Sequence, residues 1–362
     1  MSVALNPDPA FWAGRRVLLT GHTGFKGAWM SRWLSRLGAE VHGFALPPEA
    51  GQGLFEAIGF DPARSRLGDI RDPEAVRASV AAARPEIVIH MAAQALVRPS
   101  YADPVGTFSV NVMGTVHLLE ALRACPELRA VVVVTSDKAY ENREWPYAYR
   151  ETEAMGGHDP YSASKGCAEL ATSAYRRSFF GEGGHPASIA TARAGNVIGG
   201  GDRSADRLIP DLVRALVAGR SAEIRAPHAV RPWQHVLEPL SGYLRLAERL
   251  AGGDGARFAE AWNFGPADED CRPVSSLADA FARAWGGDAA WHLSETVHPH
   301  EASYLKVDAS KARAALGWDR RLSLATALDW TARWYRDESE GAPANDLISR
   351  QINAYEALGD SR

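Results

Sequence analysis

The order of two kinds of segment constrains the fold of this chain more than any other feature. From Arg15, short apolar runs rich in β-branched residues alternate with longer stretches of helical periodicity. This order is typical of βαβ units and a parallel sheet. Near-continuous apolar runs indicate strands that helices cover on both faces. Four such runs predict strands, at 17–20, 41–46, 87–91 and 131–135. The sequence therefore predicts an α/β fold with a doubly wound parallel sheet.

Two helices of this array can be predicted from their ends and faces. Asp72 followed by Pro73 is a helix start, because the carboxylate caps free N–H groups and proline lacks one; this helix is expected to run through Ala83. A second helix is predicted from apolar residues at helical spacing, which would pack on the sheet. These residues are Phe108, Val112, Val116, Leu119 and Leu122.

Composition excludes several classes of protein. The chain has 362 residues, 46% hydrophobic and 23% charged, which is typical of a soluble globular protein. With 40 Lys and Arg against 44 Asp and Glu, there is no basic excess to hold a nucleic acid. The cysteines, Cys125, Cys167 and Cys271, form no disulfide or metal-binding pattern. Since no leader or membrane-spanning stretch is found either, we expect a cytoplasmic protein without metal, nucleic-acid or membrane partners.

A glycine-rich segment follows the first predicted strand directly. Residues 21–27 read Gly-His-Thr-Gly-Phe-Lys-Gly and lead into a helical pattern at 28–37. Gly21 allows a tight turn, Gly24 a close approach to a pyrophosphate, and Gly27 packing of helix on strand, while the helix N-terminus offers N–H groups to phosphates. A plain strand-to-helix turn is the alternative. The second strand ends in Phe44-Ala45-Leu46-Pro47, without a carboxylate for ribose hydroxyls, so this pattern leaves NAD and NADP both open.

Five polar residues are expected to meet at the carboxyl edge of the sheet. Tyr161 and Lys165 lie four residues apart, on one helical face, where an ammonium would lower the pKa of the phenol and make it a usable base. The strand at 131–135 delivers Ser136, Asp137 and Lys138 to the crevice in which open α/β sheets bind ligands. Each pair taken alone is equally consistent with an exposed helix face or a solvated loop. Their convergence predicts an active site.

These motifs resemble those of the extended short-chain dehydrogenase/reductases, in particular the CDP-glucose 4,6-dehydratase family. The resemblance covers nearly the whole chain, and it implies a Rossmann fold, NAD as cofactor and a nucleotide hexose as substrate. The glycine turn and the Tyr-Lys pair are generic, whereas Ser136-Asp137-Lys138 and the segment 231–236 are more specific. The matching segments are 20–27, 91–94, 135–138, 161–165, 193–197, 199–202, 231–236, 263–266 and 304–308.

The resemblance also implies roles for the five polar residues. Tyr161 would take the proton of the sugar 4-hydroxyl while NAD accepts hydride from C4, with Ser136 and Lys165 stabilising the developing charge. Asp137 would protonate the departing 6-hydroxyl, and hydride would return to C6, giving CDP-4-keto-6-deoxyglucose. Related dTDP-glucose enzymes carry Asp-Glu where this chain carries Asp137-Lys138. Lys138 could therefore be the C5 base, act through water or stabilise the enolate.

Further residues are implied as ligand contacts. The cofactor-binding set is Gly21, His22, Thr23, Gly24, Phe25, Lys26, Gly27, Asp69, Ile70, Ala92, Ala93, Gln94, Asn111, Thr135, Tyr161 and Lys165. The substrate-binding set is Ser136, Asn196, Arg231, His235 and Tyr304. Arg231 is the expected diphosphate ligand and Asn196 a partner near the hexose. Trp233 and His235 would either pack beside the nucleotide or serve the core. His22 would line the cofactor phosphates, whereas His90 reads as a hydrogen-bonded core residue.

The resemblance divides the chain into two lobes. We expect an NAD-binding Rossmann domain at 1–185, to which segments near 228–245 and 262–266 return. A nucleotide-sugar lobe would occupy 186–345, and the polar stretch from Asp337, with 346–362 at its end, would form a mobile tail.

Three questions stay open at this point. A nucleotide-sugar 4-epimerase would share the Tyr-Lys pair and the first hydride step but would not need Asp137. A non-catalytic NAD-binding regulator would keep the fold and lose the chemistry. The apolar helices at 103–124 and 161–177 would form the interface of a homodimer or homotetramer, or be covered within one chain.

Overall fold

The computed structural model describes residues 6–48, 53–181, 183–286, 289–295 and 302–360. The strands within these ranges are β1 (Arg16–Thr20), β2 (Glu40–Ala45), β3 (Ser65–Leu67), β4 (Ile87–His90), β5 (Ala130–Val134), β6 (Ser188–Ala194), β7 (Asn196–Ile198), β8 (Ala222–Ile224), β9 (Val230–His235), β10 (Ala261–Phe264), β11 (Cys271–Pro273) and β12 (Trp291–Leu293).

Helices connect and cover these strands. The α-helices are α1 (Pro9–Trp12), α2 (Phe25–Arg36), α3 (Leu54–Ala57), α4 (Pro73–Ala83), α5 (Val97–Ala102), α6 (Pro104–Phe108), α7 (Gly114–Leu122), α8 (Pro160–Phe179), α9 (Leu208–Val217), α10 (Leu237–Ala251), α11 (Val274–Trp285), α12 (Leu324–Ser339) and α13 (Ala344–Asp360). Short 3-10 turns lie at Pro62–Arg64, Asp137–Ala139, Gly255–Phe258 and Asp268–Asp270, and π turns at Ser109–Met113 and Ala312–Leu316.

The large sheet is parallel and has seven strands in the order β10-β6-β5-β4-β1-β2-β3. All four strands predicted from apolar runs are present, each within one residue of its expected start. The strand order reverses between β1 and β4, and a crevice at the carboxyl ends of the strands is expected there. The prediction of a doubly wound parallel sheet is confirmed.

Both predicted helices form where the sequence placed them. The Asp72 carboxylate accepts hydrogen bonds from the Glu74 and Ala75 amides, and α4 begins at Pro73. The second helix is realised as α6, a π turn and α7 in succession. Of the predicted apolar stripe, Leu119 and Leu122 are buried in the core, Val112 and Val116 are half-buried, and Phe108 is exposed.

Two small sheets follow the large one along the chain. One has the order β11-β9-β7 and the other pairs β12 with β8. The chain returns to the large sheet at β10, within the segment predicted to do so. We expected the second lobe to begin at residue 186, but β6 lies in the large sheet beside β5. That boundary is too early, because the apolar run of β6 is buried between β5 and β10.

The expectation of a mobile C-terminal tail is wrong for residues 337–360. α12 continues to Ser339, and α13 packs against α2, α3 and α12. Its apolar side chains face one way and are buried, namely Leu347, Ile348, Ile352 and Tyr355. The Tyr355 hydroxyl donates to a Glu238 carboxylate oxygen, 2.8 Å away, inside the core. The stretch is polar overall, but its apolar residues share one helical face.

No helix in the described part of the chain combines the length and apolar composition needed to cross a membrane.

Docking of α13 should contribute measurably to the free energy of unfolding. Leu347 is 2% exposed and Leu358, on the same helix, is 38% exposed. We expect Leu347→Ala to cost about 2 to 5 kcal/mol because it leaves a cavity. The matched change Leu358→Ala should cost less than about 0.5 kcal/mol. Denaturant unfolding of both variants measures the difference, and equal losses would show that α13 is not docked as described.

Candidate active site

The glycine turn between β1 and α2 is built as the sequence predicts. Gly21 has φ +77°, a conformation that favours glycine, and a Cβ there would lie 2.8 Å from the Ala92 amide nitrogen. A Cβ on Gly27 would lie 2.0 Å from the Gly21 carbonyl oxygen, so any side chain would force the helix away from the turn. Gly24 is the N-cap of α2 and provides no side-chain cap. The first N–H groups of α2 therefore remain available to an anion.

A crevice runs along the carboxyl ends of the strands, and all five predicted catalytic residues line it: Ser136, Asp137, Lys138, Tyr161 and Lys165. Ser136 follows β5 and caps a 3-10 turn, where its Oγ accepts from the Lys138 amide at 3.2 Å. Asp159 caps α8 by accepting from the Ser162 amide, with Pro160 at the first helical position. The capped turn after β5 and the capped N-terminus of α8 therefore lie at the same crevice.

Asp137 is buried at the floor of this crevice. One carboxyl oxygen lies 3.1 Å from the Ser136 hydroxyl, and the other has no hydrogen-bond partner within the protein. Burial raises the pKa of the Asp137 carboxyl, against the opposing effects of Lys138, Ser136 and Arg231. A carboxyl of this kind holds its proton more readily than an exposed aspartate and can donate it.

The electrostatics of Tyr161 differ from the expectation. Burial raises the pKa of its phenol to about 12, a hydrogen bond with Ser136 opposes the rise, and the Asp137 charge adds to it. We expected Lys165 to lower this pKa, but the Lys165 ammonium points to the Val134 carbonyl oxygen, 3.5 Å away. Burial lowers the pKa of Lys165 itself to about 8. Desolvation is the largest effect on the pKa of Tyr161, so burial favours the protonated phenol.

A buried carboxylate behind the crevice ties α8 to the sheet. Glu169, one helical turn after Lys165, accepts from the Thr135 hydroxyl at 2.5 Å and from the Thr191 hydroxyl at 2.6 Å. It also accepts two bonds from the Arg193 guanidinium, at 2.8 and 2.9 Å. The sequence analysis assigned no role to Glu169. Its spacing of four residues from Lys165 was the available signal.

The network continues from Arg193 to the second part of the chain. Arg193 donates to the Tyr140 hydroxyl at 2.7 Å, and this hydroxyl donates to the Asn263 amide oxygen at 2.8 Å. The Asn263 amide group donates to the carbonyl oxygens of Tyr149 and Asp308. Since all these groups are buried or nearly so, they hold the loop after β5 in a fixed position relative to β10.

Of the predicted cofactor residues, Lys26, Ala93 and Thr135 line the crevice beside Tyr161 and Lys165. Burial lowers the pKa of the Lys26 ammonium to about 7, and the nearby charges of Arg207 and Lys165 lower it further. Asn111 lies beneath the loop after β4, where it accepts from the Gln94 amide and donates to the Ser164 hydroxyl.

The other predicted cofactor residues lie outside the crevice lining, Ile70 and Asp69 among them. Ile70 is buried against Gly114 of α7. Asp69 forms an ion pair with Arg71 at 2.6 Å.

The two histidines near the turn have structural surroundings. His90 is buried, with its ring nitrogens 2.7 Å from the Thr20 hydroxyl and 3.0 Å from the Thr115 hydroxyl, which confirms a core role. His22, which is predicted to line the cofactor phosphates, is not among the residues that line the crevice. Its ring packs against Phe55 and Phe60, away from the crevice. Burial lowers the pKa of His22 to about 4, so the imidazole is neutral.

The predicted substrate residues divide in a similar way. Asn196, Arg231 and Trp233 line the crevice. His235 does not, because its ring is fully buried between Trp29 and Trp330. Tyr304 also lies outside the crevice lining, in a β-bridge with Val230. Both residues therefore contribute to the fold and not to the crevice lining: His235 packs in the core at the end of the segment 231–236, and Tyr304 forms a β-bridge.

A set of charged residues that were not predicted as site residues lines the same crevice: Arg98, Asp202, Asp206, Arg207, Asp211, Glu223 and Arg225. Arg207 and Asp202 form an ion pair at 2.9 Å. They lie in loops, in the short strand β8 and, for Arg98 and Asp211, in the helices α5 and α9, so the sequence held no periodicity that would bring them together.

Comparison with known proteins agrees with this geometry. The family model described as GDP-mannose 4,6 dehydratase matches residues 18–331, which is most of the chain. The chain belongs to the GDP-mannose 4,6 dehydratase family. This family lies within the extended short-chain dehydrogenase/reductases, and the resemblance inferred from the motifs is confirmed.

Several individual proteins are similar to this chain. The CDP-glucose 4,6-dehydratase of Salmonella typhimurium (strain LT2) is 52% identical over 352 residues, covering 96% of this chain and 98% of that protein. The dTDP-glucose 4,6-dehydratase of Streptomyces venezuelae, solved with NAD and TYD bound, has a TM-score of 0.73 at 24% identity over 90% of this chain and 98% of that one. The UDP-glucose 4-epimerase of Thermus thermophilus, in complex with NAD, has a TM-score of 0.75 at 24% identity over 89% and 99%.

Within the residues that the structure covers, no group of three or more His, Cys, Asp or Glu side chains could hold a metal ion.

Because Asp137 is buried, ionisation of its carboxyl should lower the free energy of unfolding of this protein. Burial raises the pKa of this carboxyl in the folded state above 3.8. The stabilisation that follows from this shift is therefore fully present below pH 3.8, and it is lost as the pH rises through the folded-state pKa. We expect Asp137→Asn to be more stable than the wild type at neutral pH, by a margin that grows from below pH 3.8 upward. Urea unfolding across pH measures this margin. The exposed Asp346→Asn serves as control, and a margin independent of pH would contradict the prediction.

Proposed function

We propose that this protein is an NAD-dependent 4,6-dehydratase that converts CDP-glucose to CDP-4-keto-6-deoxyglucose and water. One observation carries the proposal: a buried carboxyl with a raised pKa, Asp137, lines the same crevice as Tyr161 and Lys165. Reduction or epimerisation at C4 needs the tyrosine and lysine alone, whereas loss of water needs an acid as well. The 52% identity to a CDP-glucose 4,6-dehydratase supports the choice of nucleotide.

The residues around the glycine turn fit a dinucleotide cofactor. At Gly21 and Gly27 a Cβ would collide with neighbouring backbone atoms, and the N-terminus of α2 has no side-chain cap. The turn at 21–27 would hold the pyrophosphate, and Lys26, Ala93 and Thr135 would face the nicotinamide half. NAD, when bound, supplies the acceptor for hydride from C4 and the donor that returns it to C6, so the reaction is redox-neutral.

Proton transfer at the sugar 4-hydroxyl falls to Tyr161. Burial favours the protonated phenol, so Tyr161 must first release its proton to solvent, and the phenolate that remains can take the proton of the 4-hydroxyl; the Ser136 hydroxyl is its hydrogen-bond partner. Lys165, one turn further along α8, is the cation that would stabilise the phenolate. Oxidation at C4 produces a ketone, which acidifies the proton at C5.

Loss of the 6-hydroxyl falls to Asp137 and Lys138. Burial keeps the Asp137 carboxyl protonated more readily than an exposed one, so it can give that proton to the departing hydroxyl. Lys138 also lines the crevice and is the candidate for removing the C5 proton, directly or through water, or for stabilising the enolate.

The direct test is incubation of the purified protein with CDP-, dTDP-, GDP- and UDP-glucose, with and without NAD, read by mass spectrometry. We expect a product lighter by one water from CDP-glucose, without net formation of NADH. An isomer of unchanged mass would identify a 4-epimerase instead. Absence of turnover with every nucleotide sugar would identify a non-catalytic binding protein.

Replacement of Lys138 by Met should separate the two halves of the reaction. We expect the Lys138→Met variant to form no dehydrated product. Reduced nicotinamide, measured by its absorbance, should still accumulate, because oxidation at C4 precedes removal of the C5 proton. Uptake of solvent deuterium at C5 should be lost as well. Normal dehydration by this variant would remove Lys138 from the mechanism.

We infer that the active protein is a homodimer or homotetramer in the cytoplasm. α6, the π turn and α8 leave apolar side chains in solvent, namely Val105, Phe108, Met113, Leu170 and Phe179. Val105 is 79% and Leu170 62% exposed, and an apolar face of this kind fits a two-fold interface between copies. The free cysteines fit a reducing compartment.

Charges on that face should dissociate the oligomer. We expect the double variant Val105→Glu, Leu170→Glu to sediment as a monomer, since two carboxylates from each copy would have to be buried in the interface. Val217, 63% exposed at the end of α9, provides the matched control Val217→Glu, which should leave the assembly unchanged. A wild-type protein that is monomeric by analytical ultracentrifugation would refute this assignment.

A further inference from the structure

The crevice extends well beyond the catalytic residues. Its far wall is made of α9, β8 and the first residue of α11, and its apolar members are Ile209, Pro210, Ile224 and Val274. Two charged side chains, Glu223 and Arg225, stand among them. They belong to β8 and the residue that follows it, two positions apart, and therefore project to the same side of the strand.

The charged groups of the crevice are ordered along its length. Arg231 acts electrostatically on Asp137, and Arg207 acts on Tyr161, so both lie near the catalytic end. Arg225 instead acts on Asp206 and Asp211. In a nucleotide sugar the diphosphate lies between hexose and base. With the hexose at Asp137 and the diphosphate at Arg207 and Arg231, the base would lie at the wall that carries Glu223 and Arg225.

Arg225 is fixed in position at that wall. Its guanidinium donates to a carboxylate oxygen of Asp206 at 2.9 Å and to the Asp206 carbonyl oxygen at 3.1 Å. Asp206 also accepts from Arg98 of α5 at 2.8 Å, so it joins two parts of the crevice wall. Asp206 has φ +62°, a left-handed conformation that aspartate adopts more readily than most residues. These bonds use two of the five N–H groups of a guanidinium and orient the rest.

We propose that Glu223 and Arg225 read the edge of the base and select cytosine over uracil and thymine. This proposal rests on the function proposed above. A cytosine edge presents an amino donor at C4 followed by two acceptors, N3 and O2. A carboxylate beside a guanidinium fork matches that order, with Glu223 accepting from the amino group and Arg225 donating to N3 and O2.

Uracil and thymine present the opposite order at two of these positions. Their O4 would face the Glu223 carboxylate, two acceptors together, and their N3–H would face the Arg225 donors. Each of these two contacts would place groups of the same kind opposite each other, so neither could form a hydrogen bond with the ligand. The pair therefore discriminates by repulsion as well as by attraction.

The test compares binding of CDP and UDP to the full-length protein by isothermal titration calorimetry. We expect the wild type to prefer CDP, and Glu223→Gln and Arg225→Met each to lower the CDP-to-UDP affinity ratio by about tenfold or more. Glu223→Gln should also strengthen UDP binding, because its amide can donate to O4. Arg225→Lys keeps the charge and loses the fork, so it too should lower the ratio. Arg220→Met, at an exposed arginine before β8, is the matched control and should leave the ratio unchanged.

Several outcomes would decide against the pair. Loss of CDP and UDP affinity by the same factor in Glu223→Gln and Arg225→Met would show that they do not read the base. A wild-type protein that binds both nucleotides equally would do the same. Should Arg225→Met fail to fold, Glu223→Gln alone carries the test, since Glu223 is exposed. If the ratio shifts as expected but no nucleotide glucose is turned over, base selection stands and the proposed dehydration fails.

Discussion

The active-site geometry depends on one buried carboxylate, Glu169. It accepts four hydrogen bonds, from Thr135 at the end of β5, from Thr191 of β6 and twice from Arg193. Removing one member of such a set would leave a buried charge without its partner, which costs far more than the net gain from the intact pair. The contribution of Glu169 is therefore best understood as positional: it fixes the register of α8 against the strands that carry the other catalytic groups.

That register decides which chemistry is possible. Lys165 lies one turn before Glu169 and Tyr161 one turn further back, while Thr135 is followed directly by Ser136 and Asp137. A single anchor thus brings a phenol, an amine, a hydroxyl and a carboxyl to one crevice. Burial raises the pKa of both Tyr161 and Asp137, so both groups hold protons more readily before substrate binds. A carboxyl that holds its proton more readily beside the sugar is what separates elimination of water from simple oxidation at C4.

Local patterns allowed much of this to be predicted from the sequence. The four strands, the α4 start at Asp72 and the glycine turn follow from apolar runs, capping chemistry and close backbone contacts, all set by neighbouring residues. The features that the sequence did not reveal have tertiary causes. His22 and His235 are enclosed by aromatic rings from distant segments, and α13 buries an apolar face against α2. The far wall with Glu223 and Arg225 comes from irregular segments, and the pKa of Tyr161 depends on a degree of burial that no spacing reveals.

The central claim is that one crevice moves a hydrogen from C4 to C6 of the same hexose while water departs. The most direct measurement uses CDP-glucose carrying deuterium at C4, incubated in ordinary water, with the product examined by NMR. The account predicts a 4-keto-6-deoxy sugar with the deuterium at C6. Deuterium that remains at C4, or a dehydrated product that carries none, would contradict it.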